Sequence, residues 1–139
     1  MINEITEFNA LTLEQVINFL RDSKDNINHV ISELGRQTYK NEFGTVVIEP
    51  ANKIFIKIVL SIENDVLKQV TFIGKLSISF SDLVNKYGDY REVYSPYDNL
   101  YLYFFNEKSI DKNVIIYKSE NLIKNIPVNK LNQIDIKLV

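Results

Sequence analysis

Few side chains in this sequence could do chemistry. The 139 residues hold one histidine, His29, and no cysteine. Thiolate metal sites and cysteine nucleophiles are thereby excluded, and one imidazole cannot build a histidine metal cluster. His29 sits at the edge of an apolar helical stripe and reads as structural. Carboxylates are plentiful, with Asp82, Asp89, Glu92 and Asp98 in the stretch after the second helix start. Two carboxylates do acid and base work when burial drives their pKa values apart, and nothing in the pattern gathers two of these into a pocket. Asp82 is explained by the helix N-terminus it occupies. Asp98-Asn99 has turn chemistry. The glycines, Gly35, Gly44, Gly74 and Gly88, lie too far apart for a phosphate loop or a dinucleotide fingerprint. No serine stands in a G-x-S-x-G setting. The sequence therefore predicts no catalytic residue, no metal site, no cofactor and no enzyme.

The tyrosines carry the distinctive signal. Six of the eight lie between Ser79 and Phe105. Within 100–105 one face of a strand presents Leu100, Leu102 and Phe104, the other Tyr101, Tyr103 and Phe105. A matching strand earlier in the chain presents Ile54, Ile56 and Ile58 against Phe55, Lys57 and Val59. The aliphatic faces are expected to meet helices, leaving the aromatic, mixed faces for solvent or a partner. Tyrosine suits interfaces because its ring is large, stiff and amphipathic. The expected contact residues are Tyr101, Tyr103, Phe105, Tyr94, Tyr90, Asp89 and Lys57.

The elements positioning these residues follow from periodicity. Leu13, Val16, Ile17, Leu20, Ile27, Val30, Ile31 and Leu34 keep one helical phase. Thr12 with Gln15 has capping-box spacing, and Leu11 with Val16 has staple spacing. The polar run 21–26 leaves open one helix or two, Asp25 capping the second. Gly35 ends this helical region. Strands are expected over 45–49, 54–61 and 66–73, with a turn at Glu63-Asn64-Asp65. Ser79 with Asp82 starts a second helix, stopped by Gly88. Strands over 91–95, 100–105 and 114–118 follow. The chain thus predicts an α+β fold in which two degenerate α-β-β-β repeats, residues 11–74 and 78–119, form an antiparallel sheet with helices on one face. A loop around Pro127 and a last strand over 133–139, placed to close a sheet edge, complete a single domain spanning 1–139.

Composition narrows the setting. The chain is 45% hydrophobic and 24% charged, with formal net charge -2. That balance argues against nucleic acid as partner, since phosphate affinity needs clustered lysine and arginine. The N-terminal MINEITEF has neither a basic nor an apolar targeting segment, and no apolar run approaches the ~20 residues that span a bilayer. A cytoplasmic protein with no membrane partner is expected.

The stretch from Asp82 to Phe105, DLVNKYGDYREVYSPYDNLYLYFF, resembles the helix, Leu-Gly-x-Pro-x-x-Val, aromatic-strand repeat of small bacterial proteins of the beta-lactamase-inhibitory-protein and SmpA/OmlA type. Tyr90 stands where that repeat has proline. The duplicated plan also resembles immunity proteins encoded beside bacterial polymorphic toxins. The resemblance implies a bacterial protein that binds another protein on an open sheet face, with no catalytic residues to carry over. An immunity protein neutralising a cognate toxin is the expected function, with Asp89, Glu92 and Asp98 steering a basic partner. A small-ligand or peptide module, with Phe55, Tyr101 and Tyr103 lining a closed pocket, is the alternative. A carboxylate enzyme and homodimerisation through an edge strand are left open.

Overall fold

A computed structural model describes residues 2–108, 113–119 and 132–138. A 3-10 turn, Ile2–Glu4, precedes three α-helices: α1 (Ala10–Ser23), α2 (Ile27–Leu34) and α3 (Phe80–Tyr87). The first four strands are β1 (Gly35–Lys40), β2 (Thr45–Pro50), β3 (Phe55–Glu63) and β4 (Val66–Gly74). After α3 come β5 (Tyr90–Ser95), β6 (Leu100–Phe105), β7 (Val114–Ser119) and β8 (Asn132–Lys137). All eight form one antiparallel sheet in the order β1-β2-β3-β4-β8-β7-β6-β5. The fold is α+β, as expected. The expected loop around Pro127 lies outside the described residues.

The helix boundaries follow side-chain chemistry. α1 starts a turn earlier than expected, because Asn9 rather than Thr12 is its cap. The Asn9 side chain accepts from the Leu11 and Thr12 amides at 3.0 Å, while Thr12 Oγ1 accepts from the Asn9 amide at 2.8 Å. Asn26, not Asp25, caps α2 by accepting from the His29 amide. Helical region 11–34 is therefore two helices, broken where polar residues interrupt the stripe. The Ser79–Asp82 box forms as the spacing requires, with bonds of 3.1 and 2.9 Å. No helix among the described residues is long and apolar enough to cross a membrane.

Two strands depart from expectation in their existence or place in the sheet. β1 has no apolar alternation and gave no signal; backbone pairing with β2 holds it as an edge. Each helical region is thus followed by four strands, not three. β8 was expected at a sheet edge and instead lies at the centre, between β4 and β7. Its Ile134 and Ile136 are buried, opposite Phe72 and Val70 on one side and Tyr117 and Ile115 on the other.

The helices cover one face of the sheet, and the aromatic residues decide which. Phe8 packs against Phe55 and Phe72 at 5.6 and 5.5 Å in the first half. In the second half Phe80 of α3 meets Tyr103 edge-on at 4.8 Å, Phe105 at 5.7 Å and Tyr117 at 6.3 Å. Edge-to-face contact favours such rings beyond their area burial. Tyr103 and Phe105 are therefore buried under α3, and Leu102 and Phe104 face the opposite side. This reverses the expected orientation of β6. The β3 expectation fails for a second reason. A register shift between Phe55 and Lys57 sends Phe55 into the core and leaves Ile56 57% exposed, after which Ile58 and Leu60 return inward. A bulge of this kind defeats simple alternation.

Gly35 and Gly88 end their helices with φ of +151° and +78°. A Cβ at Gly35 would collide with backbone atoms of Glu49 and Ala51, whereas one at Gly88 meets nothing within 4 Å. Gly88→Ala should therefore cost only the conformational strain, about 1–3 kcal/mol. Gly35→Ala should cost several times more, because β1 must separate from β2 to relieve the collision. Urea unfolding of both variants measures the difference.

Candidate functional site

Of the seven residues expected to form a contact surface, Tyr90, Tyr94, Tyr101, Tyr103 and Phe105 come together, but on the helix-covered side of β5 and β6. Tyr103 and Phe105 are fully buried core residues. Tyr94 and Tyr101 meet at 5.0 Å with rings tilted by 50° on the helix-covered side of β5 and β6, one step along the strands from Phe80. Tyr94 is 47% exposed and its hydroxyl pairs with Asn99 Oδ1 at 2.8 Å. Tyr90, 38% exposed, leans on Phe80 at 4.8 Å. Asp89 is exposed in the link between α3 and β5. Lys57 lies on the opposite face, in the other half of the sheet. The expected pocket between Phe55, Tyr101 and Tyr103 does not form, since Phe55 and Tyr103 belong to the aromatic clusters of different halves.

The face away from the helices is built by cross-strand register. One row runs Val59, Thr71, Asp135, Ile116, Phe104, Arg91. The adjacent row runs Lys57, Ile73, Gln133, Lys118, Leu102, Val93. Among the described residues no helix lies over this face. Apolar side chains flank a polar centre on both sides.

That centre holds the feature that sequence reasoning missed. Asp135 is only 2% exposed. Its Oδ2 accepts from Lys118 Nζ at 3.0 Å and from Gln69 Nε2 at 3.2 Å, and its Oδ1 accepts from Gln133 Nε2 at 3.2 Å. A buried carboxylate demands such pairing, because desolvation otherwise makes the charge prohibitive. The available signal was an acid between Ile134 and Ile136 in an alternating segment. Its weight depended on β8 being an interior strand, which the sequence did not reveal.

Other acids of this face are paired as well. Arg91 forms a bidentate bridge to Glu107, at 2.9 and 2.8 Å, and its guanidinium lies 4.2 Å over the Phe104 ring. The bridge holds the Glu107 carboxyl below its ordinary range and raises Arg91 above its own. Arg36 pairs with Glu49. Lys57 and Lys137 have no ion-pair partner within 4 Å among the described residues. The open side therefore carries Arg36, Lys57, Arg91, Lys118 and Lys137 against Glu49, Glu107 and Asp135. A chain of net charge -2 thus collects a surplus of cations on one face.

Two open grooves lie at the margins of the sheet. One, of about 730 Å³, gathers Asp25 from the α1–α2 link, Glu42 from the β1–β2 turn, and Glu63 and Asp65 from the β3–β4 hairpin, beside the exposed Phe43. The other, of about 650 Å³, runs between Tyr87, Tyr90, Arg91 and Glu107. Among the described residues no group of three His, Asp or Glu side chains is placed to hold a metal ion.

The central ion pair makes a stability test. Lys118→Met leaves the Asp135 carboxylate buried with only amide donors and should cost about 3 kcal/mol. Adding Asp135→Leu should recover most of that loss. A double-mutant cycle by urea unfolding measures both. Tyr103 gives a second test. Its buried hydroxyl has no hydrogen-bond partner among the described residues. Burial, with Glu92 nearby, pushes its phenol up to about 12. An unfolded tyrosine ionises near 10, so the stability tied to Tyr103 is intact below about pH 10 and is lost as pH rises toward 12. Tyr103→Phe should raise stability at neutral pH by about 1 kcal/mol and flatten the alkaline fall. Some slope should persist, because burial and Glu14 also raise Tyr87. Unfolding midpoints across that pH range check the effect.

No family model, curated protein sequence or solved structure matches the chain.

Proposed function

We propose that this chain is a non-catalytic protein-binding protein, most specifically an immunity protein that neutralises a cognate toxin, and that the open sheet face is its docking surface. One observation carries the reading: among the described residues helices cover only one side of an eight-stranded sheet, and the other side pairs apolar flanks with a cation surplus. Phe104 with Arg91 over its ring adds residue types that protein interfaces favour, aromatic side chains and arginine. Val59, Ile73, Val93, Leu102 and Phe104 of this face are partly exposed, and contiguous apolar area of this kind suits a partner. The sign of the charge favours an acidic protein surface as partner. Glu92 on the helix-covered side, and Asp89 and Asp98 in the turns bounding β5, lie off this face and do not oppose that choice. Nucleic acid is disfavoured because Asp135, Glu49 and Glu107 sit among the cations and would repel phosphate. The non-catalytic reading rests on Asp135, whose oxygens are already committed to Lys118, Gln69 and Gln133.

Co-expression with the product of the adjacent gene, followed by size-exclusion chromatography and calorimetry, tests the proposal. A complex should form whose affinity falls at least tenfold in Lys57→Glu/Lys137→Glu and in Phe104→Asp. Arg21→Glu/Lys24→Glu, at the end of α1, should leave it unchanged. Absence of a complex, or indifference to the open-face changes, would sink the reading.

A further inference from the structure

The two outer strands of the sheet are guarded differently. An unpaired strand edge presents free backbone N–H and C=O groups to any passing strand. β1 is protected by a register break between Gln37 and Tyr39 and carries Arg36 and Lys40. β5 has no register break, and its one cation, Arg91, is already paired with Glu107. Its residues Tyr90 to Ser95 pair with β6 one to one without interruption, and it contains no proline, lysine or bulge. Three exposed tyrosines border it: Tyr90, Tyr94 and Tyr97, the last 98% exposed.

We propose that β5 pairs antiparallel with β5 of a second copy of this chain, Val93 lying on the twofold axis. Antiparallel pairing places residues of the same face opposite one another. Few registers then satisfy a twofold. Centring on Arg91 or Glu92 sets like charges directly against each other, which destabilises a sheet. Centring on Tyr94 brings Pro96 opposite Glu92, and proline has no N–H to donate. Centring on Val93 sets Arg91 opposite Ser95 and Glu92 opposite Tyr94 of the other copy. The pairing then ends at Tyr90, opposite Pro96. Each copy contributes its Tyr94–Tyr101 pair to one side of the junction. The sheet runs on through both copies, and the two open faces lie on the same side. This pairing stands apart from the docking role proposed above.

The absence of cysteine makes the register directly testable. In the Val93-centred dimer two Val93 Cα atoms lie about 5 Å apart, within disulfide reach. The two Ser95 Cα atoms lie roughly 14 Å apart, by strand rise and spacing, beyond it. Val93→Cys should therefore oxidise to a covalent dimer in mild oxidant, while Ser95→Cys and Gln37→Cys should remain monomeric on denaturing gels. Light scattering of the unmodified chain should give a dimer mass at high micromolar concentration, and Val93→Lys should return it to monomer. A monomer mass for the unmodified chain would overturn the proposal, as would equal cross-linking of Ser95→Cys and Val93→Cys. Circular dichroism confirms that each variant is folded. Should Val93→Lys not fold, the cross-linking contrast still decides.

Discussion

The pairing of β4 with β8 holds the molecule together. Each is the last strand of a four-stranded meander, and their six-residue register from Gln69–Lys137 to Gly74–Asn132 joins the two halves. A backbone bond from the Leu138 amide to the Lys68 carbonyl, at 2.8 Å, extends the junction. Both sides of the junction are specified by side chains. On the helix-covered side Val70, Phe72, Ile134 and Ile136 are fully buried and tie two aromatic clusters into one core. On the open side Gln69, Gln133 and Asp135 form the polar network with Lys118. A one-residue slip would exchange these sides and bury the carboxylate beneath the helices. The ion pair at the centre of the open face is thus a register device as well as part of a surface.

Which face the helices cover is settled by Phe80 rather than by strand composition. Alternation in β6 separates Tyr101, Tyr103 and Phe105 from Leu100, Leu102 and Phe104, and this was legible from the residues. It does not say which set a helix will cover. That depends on the ring α3 presents, and an aromatic knob selects aromatic neighbours. Cap spacing at Ser79 and Asp82, the stopping glycines and the hairpin turns are local chemistry, so they could be read directly. β1 could not, because an edge strand held by backbone pairing needs no apolar pattern. Asp135 could not, because its meaning comes from strand order, and strand order is set by contacts remote in sequence. The β3 register shift at Ile56 is invisible for a related reason: Ile54, Phe55 and Ile56 are all apolar, so either phase places a large apolar residue inward at the start of the strand.

The same seam organises the charge. Lys118 and Lys137 flank Asp135 on β7 and β8, and Lys57 extends their side of the sheet into the first half. Carboxylates collect in turns and on the helical side, including Glu14, which Lys86 bridges at 2.8 Å to link α1 with α3. An acidic chain therefore has a polarised surface without any run of like charge in its sequence. Electrostatic guidance of a partner follows from this separation rather than from net charge, and it acts over about a Debye length.

The central position of β8 also governs the order of events during synthesis. β8 follows every other strand in the sequence, so β4 and β7 emerge from the ribosome with nothing to fill the place between them. Until then each half has a bare inner edge lined by Val70 and Phe72 or by Ile115 and Tyr117. Such intermediates are sticky, and long-range pairing of this kind slows folding. The nascent chain is most exposed to misassembly just before its eighth strand arrives. A chaperone would have to shield that gap, rather than the helices or the hairpin tips.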